Sequence, residues 1–136
     1  MLTTELRLRV NGRGLREITA ECAAFAAEAS GGGDGLLHVF VPHATAGIVA
    51  METGAGSEAD LMAALDALLP RDDRWRHRHG SPGHGADHVL PLLVAPSLSV
   101  PVLGGRLALG TWQSIVLVDP NADNPDRRVL LSFLPG

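Results

Sequence analysis

Histidine is an uncommon residue, yet four of the six in this 136-residue chain fall within twelve positions. His77-Arg78-His79 is followed by His84-Gly85-Ala86-Asp87-His88. A spacing of two puts side chains on one face of a strand, and a spacing of four puts them on one face of a helix. Imidazole is the commonest protein ligand for zinc, and three protein ligands with one open position make a catalytic site. His77, His79, His84 and His88 are therefore candidate ligands for a divalent metal, zinc foremost. Their spacing matches neither a zinc finger nor the HExxH helix of zinc proteases. Asp87 and Glu52 are carboxylates that can serve as ligand, as partner of a ligand, or as general base.

His43 is set apart by its position. It follows one apolar run and precedes Ala44-Thr45-Ala46-Gly47 and a second run, which puts it on a strand-end turn. Rigid scaffolds present functional side chains at such places. Glu52 closes the second run. In Gly110-Thr111-Trp112-Gln113 the glycine admits a close backbone approach, Trp112 offers a broad face, and Gln113 both donates and accepts hydrogen bonds. Arg106, Arg127 and Arg128 can each grip a phosphate bidentately, with an ordinary solvated surface as the plain alternative. His38 lies inside a strand-like run and reads as structural.

Charge and composition remove several classes of function. The formal net charge is −4 and no run of Lys or Arg exists, so nothing offers a basic face to a nucleic-acid backbone. Arg71 to Arg78 is locally basic and reads as a solvated loop. Cys22 is the only cysteine, which rules out an internal disulfide. The first residues carry neither a charged nor an apolar leader pattern, and no apolar run approaches the ~18 residues needed to cross a bilayer. The expected location is cytoplasmic, with no membrane partner.

These residues must be positioned by a small fold. The length suits one domain spanning 1–136, with enough buried surface for a real core. Aromatics are 4% of the chain and Tyr is absent, so that core must be aliphatic. Leu2 to Val10 alternates with period two, as a half-buried antiparallel strand does. Leu15 to Ala29 shows a helical stripe of Leu15, Ile18, Cys22, Phe25 and Ala26, stopped by Gly31 to Gly35. Leu36 to Val41 and Ala46 to Met51 read as strands. Ser57 is a candidate cap for a second helix with Leu61, Ala64, Leu65 and Leu68 buried. Arg71 to Asp87 reads as one long loop, a length that is usually functional. Val89 to Val94 is apolar and reads as a short helix or a strand, with Pro91 arguing against a central strand. Ser97 to Val102, Leu107 to Leu109, Ser114 to Val118 and Arg127 to Phe133 complete about seven strands, with a hairpin turn at Leu103-Gly104-Gly105-Arg106. The expected class is α+β, an antiparallel β-sandwich core with two or three helices.

Taken together, these segments resemble the YjbQ family, some of whose members are described as secondary thiamine-phosphate synthases. The resemblance rests on His43-Ala44-Thr45-Ala46 followed by Glu52, and on His77 and His88 bracketing a Gly-rich loop. It continues through Pro96 to Val102, the stretch Gly105 to Gln113, and Arg127-Arg128 before the last strand. It implies a jelly-roll-like subunit, a homotrimer, and a metal-compatible pocket with His43, His77 and His88 as ligands and Glu52 and Gln113 beside them. The chain departs from the family at Glu52-Thr53-Gly54-Ala55, where many members have Glu-Asn-Ala-Asp, and at Gly83-His84, where many have an Asp pair. The function it implies is a transferase acting on small phosphorylated molecules, with Arg106, Trp112 and Arg128 in contact with the substrate. A metal-assisted hydrolase using Glu52 as base, and a non-catalytic binding module for a small ligand or metal, are the competing readings.

Overall fold

A computed structural model describes residues 1–136 and contains eight strands and three α-helices. The strands are β1 (Leu2–Arg9), β2 (Gly14–Glu17), β3 (Gly35–Phe40), β4 (Gly47–Met51), β5 (Ser97–Leu103), β6 (Arg106–Leu107), β7 (Ser114–Asp119) and β8 (Asp126–Pro135). The helices are α1 (Thr19–Ser30), α2 (Ser57–Leu68) and α3 (His84–Asp87), with a 3₁₀ turn at Leu90–Leu92. A five-stranded sheet runs β1-β8-β3-β5-β6 and a three-stranded sheet runs β2-β7-β4. Every strand pairing is antiparallel, as the short connections imply.

Period-two patterning decides which face of each strand turns inward. In β8 the inward set is Arg127, Val129, Leu131 and Phe133, and in β3 it is Leu37 and Val39. These meet Ile48 of β4 and Ile115 and Leu117 of β7 in the main core, which α1 closes with Cys22 and Ala26. β7 is buried on both faces, which explains its unbroken apolar run. Val118 on its other face belongs to a second cluster with Leu65, Leu69, Ala86 and Leu90. The result is three layers: the large sheet, the small sheet, then α2 with α3 and the 3₁₀ turn. This is the α+β, antiparallel two-sheet architecture that the sequence indicates.

Several local expectations need correction. Leu15 does not start a helix; it pairs with Val118 in β2, and the helix begins only at Thr19. The Ile18 amide, bonded to the Ile115 carbonyl, carries the ladder one residue past β2 and holds that short strand in place. Ser57 makes no capping bond, because Gly56 adopts a left-handed conformation at that boundary (φ 92°). Glu58 instead accepts the Gly54 amide at 2.9 Å. Ala64 and Leu68 of α2 face water, and its apolar contacts run through Leu61, Leu65 and Leu69. The long loop is interrupted by α3, which starts at His84. At the β5–β6 hairpin, Gly104 and Gly105 both take positive φ, as a two-residue turn requires.

Candidate metal centre

α3 is a single helical turn, and it carries His84 at its first residue and His88 just past its last. The spacing of four therefore does what helical geometry dictates: the two Nε2 atoms lie 2.9 Å apart. His77 and His79 arrive from the preceding loop and complete a group of four imidazoles. The ring centroids of His77 lie 4.1 Å from His79, 4.2 Å from His88 and 5.3 Å from His84. One nitrogen each from His77, His79 and His84 fits within 4.8 Å of the others. Ligand nitrogens on a tetrahedral zinc lie about 3.4 Å apart, from Zn–N bonds of about 2.05 Å, so these three donors could hold one ion only after side-chain rotation draws them closer.

The orientation of His84 is fixed from behind. Its Nδ1 lies 2.6 Å from Asp123 Oδ2. Asp123 also accepts the Ser81 amide at 3.1 Å. The Ser81 amide and the His84 hydrogen bond together pull the Asp123 carboxyl down to about 2. An ionised carboxylate against Nδ1 assigns the proton to that nitrogen and leaves Nε2 with its lone pair toward the cluster. Carboxylate, imidazole and metal recur in this order in zinc proteins. Gly80 and Gly85 make the arrangement possible. A Cβ on Gly80 would stand 2.6 Å from Asp123 Oδ2, and one on Gly85 would stand 2.5 Å from the His77 carbonyl.

Mutual proximity also sets the charge of the cluster. His77 is held below the ordinary value of 6.5 by lost hydration and then by His79 and His84. His88 is lowered by lost hydration and then by its three neighbours, with Asp87 opposing. Both rings are therefore neutral near pH 7, the form that binds a metal.

Behind α3 lies a polar network that joins all five buried polar residues, Thr45, Asp87, Asp119, Asn121 and Arg127. Arg127 grips Asp119 through two bonds of 2.7 and 2.9 Å and reaches Thr45 at 3.1 Å. The Asn121 amide bonds Asp119, and its side chain donates to Asp87 at 2.9 Å. Arg71 holds both oxygens of Asp87. Asp87 is thus committed to Arg71 and Asn121. Spacing alone does not reveal this network; the signal was an Asp ending a fully apolar strand, which must find a buried cation.

The other predicted site residues lie elsewhere. His43 sits in the turn after β3, and its Nε2 accepts the Arg128 amide at 2.9 Å. Burial lowers its affinity for a proton, and then so do Arg127 and Arg128. It belongs to the end of β7 that also carries the histidines, but its ring is not part of their group. Glu52 and Gln113 flank Met51 and Ser114, which pair at the opposite end of β4 and β7. That is roughly 13 Å along the strand from Gly47, at about 3.3 Å per residue. Both are exposed, and Gln113 turns back to accept the Gly110 amide. Trp112 is 74% exposed, and Arg106 is exposed on the β5–β6 hairpin. Within one chain, the histidine cluster and the Glu52–Gln113 group are therefore separate.

Comparison with known proteins decides the family. Residues 4–136 match the family model described as UPF0047 protein YjbQ-like. The chain belongs to the YjbQ family. A UPF0047 protein of Mycobacterium tuberculosis (strain H37Rv) is 69% identical over 103 residues, 76% of this chain and 77% of that one. The YugU protein of Bacillus subtilis, also UPF0047, is 37% identical over 124 residues, 88% of each chain. A hypothetical protein from Aeropyrum pernix superposes with a TM-score of 0.88 at 29% identity over the full length of both. A YbjQ-like protein of unknown function from Sulfolobus solfataricus shares the fold, with a TM-score of 0.91 at 24% identity over 99% and 97% of the chains. No helix of the YjbQ chain is long and apolar enough to cross a membrane.

Proposed function

We propose that this YjbQ protein is a metal-dependent enzyme acting on small phosphorylated molecules, with its centre at His77, His79, His84 and His88. The observation that carries this reading is the gathering of four imidazoles around one point, backed by the Asp123–His84 pair. A divalent ion held there, zinc foremost, supplies Lewis acidity toward a phosphate oxygen. His77, His79 and His84 are the holding set, oriented through Asp123. His88 is exposed at the rim and is the group left to carry a proton. A hollow of about 370 Å³ opens over His77, His79 and His84, with Arg78 in its wall as a cation for substrate phosphate. That volume suits a small metabolite.

Between the enzymatic readings, transfer fits better than hydrolysis. A metal-assisted hydrolase with Glu52 as its base is disfavoured because Glu52 lies at the far end of β4, while Asp87 is committed to Arg71 and Asp123 to His84. Thiamine-phosphate synthase-type transfer, which the family resemblance implies, asks instead for charge stabilisation on a departing diphosphate. The test is pyrophosphate release from an aminopyrimidine diphosphate with a thiazole phosphate, using zinc-loaded and chelator-treated protein. Turnover that depends on metal and is lost in His79→Ala supports the reading. Turnover that is absent, or equal with and without metal, refutes it.

We also propose that the chain works as a homotrimer. An apolar groove beside β4 and β5 includes Ile48, Leu93, Leu98 and Leu109, and Trp112 and Leu92, next in sequence to its lining residues Gln113 and Leu93, are 74% and 79% exposed. A surface of this kind is characteristic of an interface between copies.

A further inference from the structure

The outward face of β1 and β8 carries an arrangement that neither the metal centre nor the fold explains. The register sets Arg7 directly opposite Arg128 and Arg9 opposite Asp126. Alternation places Glu5, Arg7, Arg9, Asp126 and Arg128 together on the solvent side, since Leu6, Leu8, Arg127 and Val129 turn inward. Like charges directly opposite on an antiparallel pair destabilise it. Here the compensation is incomplete. Glu5 holds Arg7 at 2.8 Å and reaches Arg128 only at 3.5 Å, while Asp126 serves Arg9 at 3.2 Å. Arg127 contributes no free charge, being buried against Asp119.

Three guanidinium groups therefore share two carboxylates, in a chain whose overall charge is negative. They surround a hollow of about 420 Å³ lined by Arg7, Leu8, Arg9, Asp126, Arg127 and Arg128. The side chains of Arg7, Arg9 and Arg128 are 83%, 67% and 53% exposed, so their donors are free to turn toward a guest. A planar fork of N–H groups matches two oxygens of a phosphate, and two forks converging from opposite strands match one phosphate group between them.

We propose that Arg7, Arg9 and Arg128 form a phosphate-binding site on the outer face of the large sheet, independent of the histidine centre. Its ligand is a phosphate dianion, free or carried as a monoester on a small molecule. Binding converts the Arg7–Arg128 opposition from a cost into a clamp. The site leaves the His43 hydrogen bond in place, since that bond is made by the main-chain amide of Arg128.

The test uses the full chain with inorganic phosphate as probe, at constant ionic strength, before and after chelator treatment. Calorimetric titration should show saturable binding with Kd of about 1 mM, unchanged by the chelator and weakened about tenfold in Arg7→Gln/Arg128→Gln. Glutamine at 128 keeps the main-chain amide that His43 accepts. Thermal unfolding supplies a second readout that does not depend on detecting heat. At 10 mM phosphate the wild type should gain about 4 °C, and the double variant only about 1 °C. In phosphate-free buffer the double variant should be at least as stable as the wild type, because the like-charge pair is gone. Equal phosphate affinity in the two proteins, or loss of binding on chelator treatment, would overturn the proposal. Repeating the titration with phenyl phosphate separates the two sources: tighter binding than inorganic phosphate points to a monoester, and equal or weaker binding to the free ion.

Discussion

Asp123 links the residue-level chemistry of the site to its geometry, because it settles which nitrogen of His84 carries the proton. With its carboxyl held down to about 2 it remains an acceptor throughout the neutral range. Replacing it by Ala removes the partner of Nδ1 while leaving every imidazole in place. Loss of such a partner behind a metal ligand costs 10- to 100-fold in affinity. Asp123→Ala should therefore bind zinc 10- to 100-fold more weakly in competition with a chromophoric chelator, with its far-ultraviolet circular dichroism unchanged. An unaltered affinity would show that Asp123 does not orient the ligand. Asp123 sits in a loop of Asn, Pro and Asp residues that reads only as a turn, so nothing in its neighbourhood advertises this role. The histidines were legible because rarity and clustering are visible without a fold. Their partner was not, because it lies 39 positions away and contacts His84 only through tertiary structure.

At the scale of elements, the site depends on how closely the 75–77 segment lies against α3. Gly85 permits that approach: an added Cβ would meet the His77 carbonyl at 2.5 Å and Trp75 Cβ at 2.5 Å. Trp75 is itself anchored, donating from Nε1 to the Pro70 carbonyl at 2.8 Å, so it cannot yield cheaply. Gly85→Ala should lift His77 away from His84 and lower zinc affinity at least tenfold while the chain still folds, as measured by the same chelator competition. Retention of full affinity would mean that His77 is dispensable as a ligand. Element identity was largely legible for the same physical reason that makes strands strands. Period-two alternation in β1, β5 and β8, and an unbroken apolar run in β7, each state how many faces are buried. The failures are equally physical. Leu15 shares a helical stripe with Ile18 and Cys22, but a ladder partner at Val118 outweighs that weak local preference. Leu68 fits a helical stripe on paper, yet Leu69, just past the end of α2, takes the buried place because the neighbouring turn offers it Ala86 and Leu90.

For the whole molecule, a short aliphatic chain builds three layers and still leaves apolar surface uncovered beside β4 and β5. The family resemblance places Glu52 and Gln113 in one pocket with the histidines, and within one chain they stand at opposite ends of β4 and β7. A pocket assembled between copies in the proposed trimer would reconcile the two. Light scattering on the eluting peak should give a mass about three times the 14.2 kDa of one chain. A mass equal to one chain at micromolar concentration would remove the trimer and leave the exposed Trp112 without a partner.

The claim on which the functional reading rests is that His77, His79 and His84 hold a metal. The most direct measurement is elemental analysis by mass spectrometry of the untagged protein after loading with zinc and dialysis, beside His84→Ala. The account predicts about one zinc per chain in the wild type and a fraction of that in His84→Ala, with both proteins folded. Wild-type protein that retains no zinc, or a variant that retains as much as the wild type, would contradict it.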